Sequence, residues 1–289
     1  MSTSTAVRTV PVVRAGQPGP ALSTDVVAAE RPLQVTVNGE RFAVIMRTPG
    51  RDRDLAAGFL FSEQVIQDAD DVDSLTVAEA DAPDADEPNA YDAVHAVVRM
   101  RPSTSSTAAG LSMSTLPVAR RVTTNASCGL CGRVDAASIE IDVAQAQVSW
   151  TISASTVVQL PDRLRAAQAV FDETGGLHAA GLFTRDGELR LLAEDVGRHN
   201  AVDKVIGHCL LARELPLTEA VLFVSGRTSY EILQKAALAQ VPVVAAVSAP
   251  SSLAIDLADR AGLTLIGFVR GTRFNVYTHP DRIHVTFDP

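Results

Sequence analysis

The chain is short of several things, and each scarcity excludes a class of protein. No apolar run approaches the ~20 residues that a bilayer crossing needs, so a membrane span is excluded. The opening stretch, MSTSTAVRTVPVVRAGQPGP, holds no continuous apolar segment, and a secretory signal is not expected. Cysteine occurs only at Cys128, Cys131 and Cys209. So sparse and odd a set is no disulfide scaffold and points to a reducing cytoplasm. Lysine is confined to Lys204 and Lys235 among 25 basic residues, an arginine bias that genomic base composition explains more readily than ligand binding. Acid outnumbers base, and a net charge of -9 opposes non-specific binding of nucleic acid.

What is present is material for a core. Hydrophobic residues make up 46% and charged residues 20%, which no wholly disordered chain shows. At roughly 150 residues per domain, 289 residues suggest two packing units.

Residues 1–30 scatter Ser, Thr, Pro and Gly without a period and are expected to form a disordered tail. Residues 31–150 read as a smaller, β-rich N-terminal domain. Leu33, Val35 and Val37 alternate, Asn38-Gly39 offers a tight turn, and Phe42, Val44 and Ile45 return. Asp54 to Ile66 has helical spacing, and strands are expected near Leu75–Val77 and Ala93–Met100. The acidic stretch EADAPDADEPN separates those strands, and the Ser/Thr-rich RPSTSSTAAGLSMST opens a loop of about residues 102–133. A connection that long inside a compact chain is either functional or disordered, and this one carries a CxxC.

Residues 151–289 read as an α/β domain. A helix over Pro161–Phe171 is closed by Gly175-Gly176. A hairpin over Leu177–Phe183 and Glu188–Leu192 precedes a long helix, Arg198–Ala212. Apolar strands follow at Val221–Val224, Val243–Val247 and Leu263–Val269, separated by helices near Ser229–Ala239 and Ser252–Arg260. Continuous apolar strands alternating with helices imply a parallel sheet covered on both faces.

The sharpest local signal is Ser127-Cys128-Gly129-Leu130-Cys131-Gly132. Glycine after each cysteine leaves the thiols accessible, and Arg120, Arg121 and Arg133 favour thiolate. Three chemistries fit a CxxC. A zinc knuckle needs two further ligands, yet there is no second CxxC and the histidines are scattered. A thioredoxin-type dithiol belongs at a strand-to-helix junction rather than far along a polar loop. A mobile nucleophilic thiol, which takes up a group at one site and delivers it at another, is favoured over both. Cys209 falls within an apolar helix and reads as packing.

The second cluster, Glu194-Asp195-Val196-Gly197-Arg198-His199-Asn200, stands where a strand gives way to a helix. The acids complement the helix dipole and Asn200 is expected to be exposed. Arg198 and His199 in the first turn go against the dipole, and an anion held by both would explain them. Ser225-Gly226-Arg227-Thr228-Ser229 and Ser248-Ala249-Pro250-Ser251-Ser252 each follow a parallel strand, where open α/β sheets bind ligands. Small residues also cap helices, so only their adjacency suggests a cleft. Phe268-Val269-Arg270-Gly271-Thr272-Arg273 adds two arginines around a glycine, suited to a phosphorylated ligand or to an exposed turn. In Leu177-His178-Ala179-Ala180, alanine stands where zinc deaminases carry the glutamate of H-x-E on a helix, so deaminase chemistry and zinc are not expected.

Taken together, SCGLCG, TGGLHAA, EDVGRHNAVDK, SGRTSYEILQKAA and GFVRGTRFNVYTHP resemble the FdhD family, the sulfur carriers required for formate dehydrogenase. The resemblance runs from about residue 30 to the C-terminus. It implies a cytidine-deaminase-like C-terminal scaffold without zinc, and a cytoplasmic homodimer. It further implies that a cysteine desulfurase passes sulfur to Cys128 as a persulfide, with Cys131 as its CxxC partner. The sulfur then goes to the molybdenum of a bis(molybdopterin guanine dinucleotide) cofactor before insertion into apo-formate dehydrogenase. The loop Phe268 to Arg273 matches the cofactor-binding segment. Arg198, His199, Ser225, Gly226 and Arg227 are expected around the same ligand, which a guanine nucleotide would mimic. A carrier-free alternative is a chaperone that binds cofactor and apo-enzyme without using its cysteines.

Overall fold

The computed structural model describes residues 6–16, 19–78, 92–99, 123–124 and 145–284. The CxxC, with Cys128 and Cys131, lies outside the described residues, as do the acidic stretch at 79–89 and most of the loop expected at 102–133.

The first departure from the sequence reading is at the start. The segment expected as a tail contains two strands, β1 (Val7–Arg14) and β2 (Ala21–Ala28), paired antiparallel from Val7↔Ala28 to Arg14↔Ala21. Valine and threonine density makes these residues strand formers, although no strict alternation announces them. The ribbon is open to solvent, with Val13 and Leu22 opposite each other and exposed.

Strands β3 (Arg31–Val37) and β4 (Glu40–Arg47) form the expected hairpin. Asn38 and Gly39 both take positive φ, the conformation that a two-residue turn between twisted strands requires. The Asn38 side chain exchanges two hydrogen bonds with the backbone of Val98 and so fastens the turn to a third strand. Helix α1 (Asp52–Ser62) follows, then β5 (Val72–Ala78), β6 (Asp92–Val98) and the short β7 (Thr123–Thr124). These strands make a five-stranded sheet in the order β5-β6-β3-β4-β7.

The second half begins with β8 (Ile152–Ser153), α2 (Ala154–Val157), α3 (Leu160–Ala166) and α4 (Ala169–Thr174). The single helix expected over 161–171 is therefore broken after Ala166. The break has a cause in tertiary structure: the Glu194 carboxylate accepts hydrogen bonds from the Val170 and Phe171 amides and restarts the helix. Then come β9 (His178–Thr184), β10 (Leu189–Asp195), α5 (Arg198–Leu211), β11 (Ala220–Val224), α6 (Tyr230–Leu238), β12 (Val243–Ala246), α7 (Ser252–Arg260), β13 (Thr264–Arg270), β14 (Arg273–Thr278) and β15 (Ile283–His284). The six-stranded sheet runs β10-β9-β11-β12-β13-β14, with β11, β12 and β13 parallel and the outer pairs antiparallel.

Alternation along β11 shows how this sheet is covered. Leu222 and Val224 face a core shared with α1, α5, α6 and α7, whereas Val221 and Phe223 face a second core with Ile152, Val157, Leu160 and Leu164. The first core also takes in Leu33, Val35 and Val94, so both halves of the chain contribute to it. Helices α1 and α5 are pressed together at glycine. A methyl group on Gly58 would overlap the Asp203 carbonyl, and one on Gly207 would overlap that of Asp54.

Candidate functional site

The parallel strands β11, β12 and β13 end on one rim, and β9, running the other way, begins there. Backbone bonds knit the rim together. The Ser225 amide donates to the Ala179 carbonyl, and the Ala179 amide donates to Ser225 Oγ at 2.8 Å. Thr228 pairs with Pro250, which brings the two small-residue loops side by side as their placement after adjacent strands suggests. The Phe268 amide donates to the Ser248 carbonyl, and Arg270 Nε donates to the Val247 carbonyl at 2.9 Å.

Phe268 to Arg273 is less of a loop than its sequence suggests. Phe268, Val269 and Arg270 end β13, Arg273 begins β14, and only Gly271-Thr272 turns. A bulge between Gly267 and Arg270 leaves Phe268 at φ 54°, a left-handed conformation that costs a bulky side chain energy. Phe268 is 38% exposed, and the Arg270 guanidinium stands 5.7 Å from its ring centre. Arg227 and Arg273 are exposed on the same rim.

Arg198 and His199, expected to converge on one anion, part ways. The Cδ of Arg198 lies 3.5 Å from the position a Cβ would take on Gly226, so Arg198 reaches the 225–229 loop. His199 turns instead toward the start of α6, with Nε2 2.9 Å from Ser229 Oγ and 3.4 Å from Glu231 Oε2. Burial, with Lys235 and Arg198 nearby, pushes its pKa down to about 3 and keeps the ring neutral. His199 therefore holds the loop from behind. Asn200, expected to be exposed, is buried and donates to the Met46 carbonyl and to Asp195 Oδ1. Asp195 also meets Lys204 Nζ at 2.7 Å and accepts from the Thr48 amide. These bonds lock the end of β4 to the beginning of α5. Glu194, read as a dipole partner of α5, serves α4 instead.

A residue left out of the expected ligand set sits on this rim at the start of β9. His178 borders a cleft of about 640 Å³ between α3–α4 and the strand ends, together with Arg165, Gln168, Phe171, Ser225 and Val247. Arg165 lies over the Phe171 ring at 4.6 Å. Burial and the Arg198 charge lower the His178 pKa, and Asp195 opposes them. The sequence signal was there, since His178 begins a strand antiparallel to β11, but register was needed to place it beside Ser225. The same register shows that His178-Ala179-Ala180 lies on a strand, whereas the deaminase H-x-E lies on a helix.

Cys209 is buried inside α5, and burial pushes its thiol up to about 12, so it is inert as a nucleophile. Among the described residues no three acidic, histidine or cysteine side chains gather as a metal site, and no helix is long and apolar enough to cross a membrane.

Comparison with known proteins gives the chain's relatives. Residues 28–284 match the FdhD/NarQ family. The sulfur carrier protein FdhD of Streptomyces avermitilis is 48% identical over 267 residues, 90% of this chain and 89% of the relative. That of Sulfolobus acidocaldarius is 44% identical over 263 residues, covering 91% and 93%. A crystal structure from Desulfotalea psychrophila, assigned as a formate dehydrogenase accessory protein, superposes with a TM-score of 0.72 over 96% of this chain and 100% of its own. At 22% identity it speaks for the fold alone. With nine-tenths of its length matched at this level by curated relatives, the chain belongs to the FdhD/NarQ family.

Proposed function

We propose that this protein is a sulfur carrier required for formate dehydrogenase activity. The Cys128 thiolate attacks the outer sulfur of a persulfide on a cysteine desulfurase. A new S–S bond forms on Cys128, the donor's S–S bond breaks, the donor leaves as thiolate, and the proton stays with the transferred sulfur. Attack by the Cys131 thiolate on the Cys128 sulfur then releases hydrosulfide and leaves a Cys128–Cys131 disulfide, so the two cysteines supply both electrons.

The acceptor is the molybdenum of a bis(molybdopterin guanine dinucleotide) cofactor, the carrier's cargo, which passes on to apo-formate dehydrogenase. The observation that carries this reading is the rim, where loop 225–229, Phe268–Arg273 and the cleft at His178 lie at the carboxyl ends of parallel strands, where α/β sheets bind nucleotides. Arg227, Arg270 and Arg273 are suited to phosphates, and Ser225 and Gly226 let the backbone approach them. The sheet order, with three parallel strands flanked on both sides by antiparallel ones, supports a cytidine-deaminase-like scaffold. The carrier works in the cytoplasm as a homodimer.

Mass spectrometry after incubation with a desulfurase and cysteine tests the carrier. An adduct of ~32 Da, one sulfur atom, on the CxxC peptide is expected. A Cys128→Ala variant is expected to lose all ability to restore formate dehydrogenase activity in a strain lacking the carrier. Full restoration without the adduct would instead identify a cofactor-binding chaperone.

A further inference from the structure

The buried His199 ring and the partly exposed His279 ring are tied to neighbours, and a third histidine ring is not. His199 meets Ser229 and Glu231, and His279 meets the Asp259 carbonyl. His178 is half-buried, yet no described residue hydrogen-bonds to either ring nitrogen. An imidazole on the wall of an open cleft with both nitrogens uncommitted is placed to meet a ligand.

Glycine shapes the space in front of it. A Cβ on Gly226 would lie 3.3 Å from His178 Nδ1 and 3.5 Å from Arg198 Cδ. Without a Cβ, the Gly226 backbone packs directly against both the imidazole and the Arg198 side chain, which brings these two side chains close to one another beside the cleft. An acceptor oxygen in the cleft that takes a hydrogen bond from the His178 ring also approaches a guanidinium-bearing side chain.

The charges around the ring decide its protonation. Burial and Arg198 favour the neutral form, and Asp195, its cross-strand neighbour, is outweighed. His199 stays neutral. Across the cleft, Asp162 is the only carboxylate on α3, and Arg165 there is paired with Asp172 of α4. Arg227 stands on the loop after β11. An arriving phosphate adds negative charge beside the ring and reverses the balance toward the imidazolium.

We propose that a phosphate group of the nucleotide-bearing ligand docks between His178 and Arg198, and that docking adds one proton, drawn from solvent, to His178. This rests on the reading of the cleft as the cofactor site. It makes His178 a binding residue and makes ligand capture proton-linked.

The test is calorimetric titration of GDP into the full chain between pH 6 and 8, in buffers of different ionisation heat. Binding is expected to tighten by up to about tenfold per pH unit as pH falls, as one linked proton requires. His178→Gln is expected to flatten that slope and remove one proton from the uptake, while titration of GDP itself appears equally in both proteins. Identical slopes and proton counts in the two proteins would overturn the proposal and leave the cofactor cleft intact. No GDP binding to the unaltered chain would overturn both, whereas sulfur loading of Cys128 is read separately by mass. Should His178→Gln not fold, the ring proton of His178 followed by NMR gives the same answer. Its titration midpoint must rise when GDP is added, and an unmoved midpoint overturns the proposal.

Discussion

Two groups of ionisable side chains flank the start of α5. On the inner side, Lys235 reaches both carboxylate oxygens of Asp203 at 2.7 and 2.9 Å, Ser62 donates a third bond, and Lys204 binds Asp195. Burial pushes the Asp203 carboxyl up, and Lys235 and Ser62 pull it back. On the rim, a serine and cationic or titratable side chains occur again, His178, Ser225, Arg227 and Arg273, and these border a cleft or stand in solvent. Residue type alone does not separate the two groups. Complete partnering marks the inner group as structural, because a buried charge without a partner is too costly to keep. On the rim, the uncommitted His178 ring and the exposed Arg227 and Arg273 suit the proposed cofactor site.

The comparison can be broken most severely from the inside. Asp203→Ala strands Lys235 without a counter-charge and is expected to cost about 3–5 kcal/mol, measured by urea unfolding. Replacing both partners by apolar residues of similar volume is expected to recover most of that loss.

Acid gives the next largest effect. His199 has a folded pKa of about 3 against an ordinary value of 6.5, so between those limits the unfolded chain binds a proton that the folded chain refuses. The stability involved is complete above about pH 6.5 and is lost as pH falls toward 3, by up to about tenfold in the folding equilibrium per pH unit. His199→Gln is expected to remove that component from the stability–pH profile. A profile unchanged by the substitution would place the acid sensitivity elsewhere.

The rim is expected to answer in the opposite way. Arg227→Ala and Arg273→Ala should alter unfolding free energy by no more than about 0.5 kcal/mol, since both side chains are exposed. Their GDP affinity should nevertheless fall. A large loss of stability with unchanged affinity would show that the two groups are not distinct.

Much of the fold was legible because local pattern and tertiary role coincide. Asn38-Gly39 between alternating strands, and the apolar strand–helix steps after Val221, leave one arrangement that buries their side chains. The opening hairpin was hidden because β1 mixes Pro11, Arg8 and Arg14 among its valines, and pairing is supplied by a strand across a turn. The broken helix after Ala166 was hidden because Glu194, 28 positions further on, supplies its cap. Cys209 was legible as packing, since a thiol inside an apolar stripe has only one place to go.

The candidate site was legible as a set of loops and not as a set of contacts. Sequence alone determined that small residues and arginines follow successive parallel strands, because strand direction and the position of a loop along the chain are local properties. It also determined family membership through five ordered motifs. Only the tertiary structure decided that His199 faces inward to Ser229 while His178 faces the cleft, and that His178 and Arg198 both pack against Gly226. The reason is physical: which way a side chain turns at a strand or helix end depends on register and on which partners burial brings within hydrogen-bonding distance, and those partners lie tens of residues away in the chain.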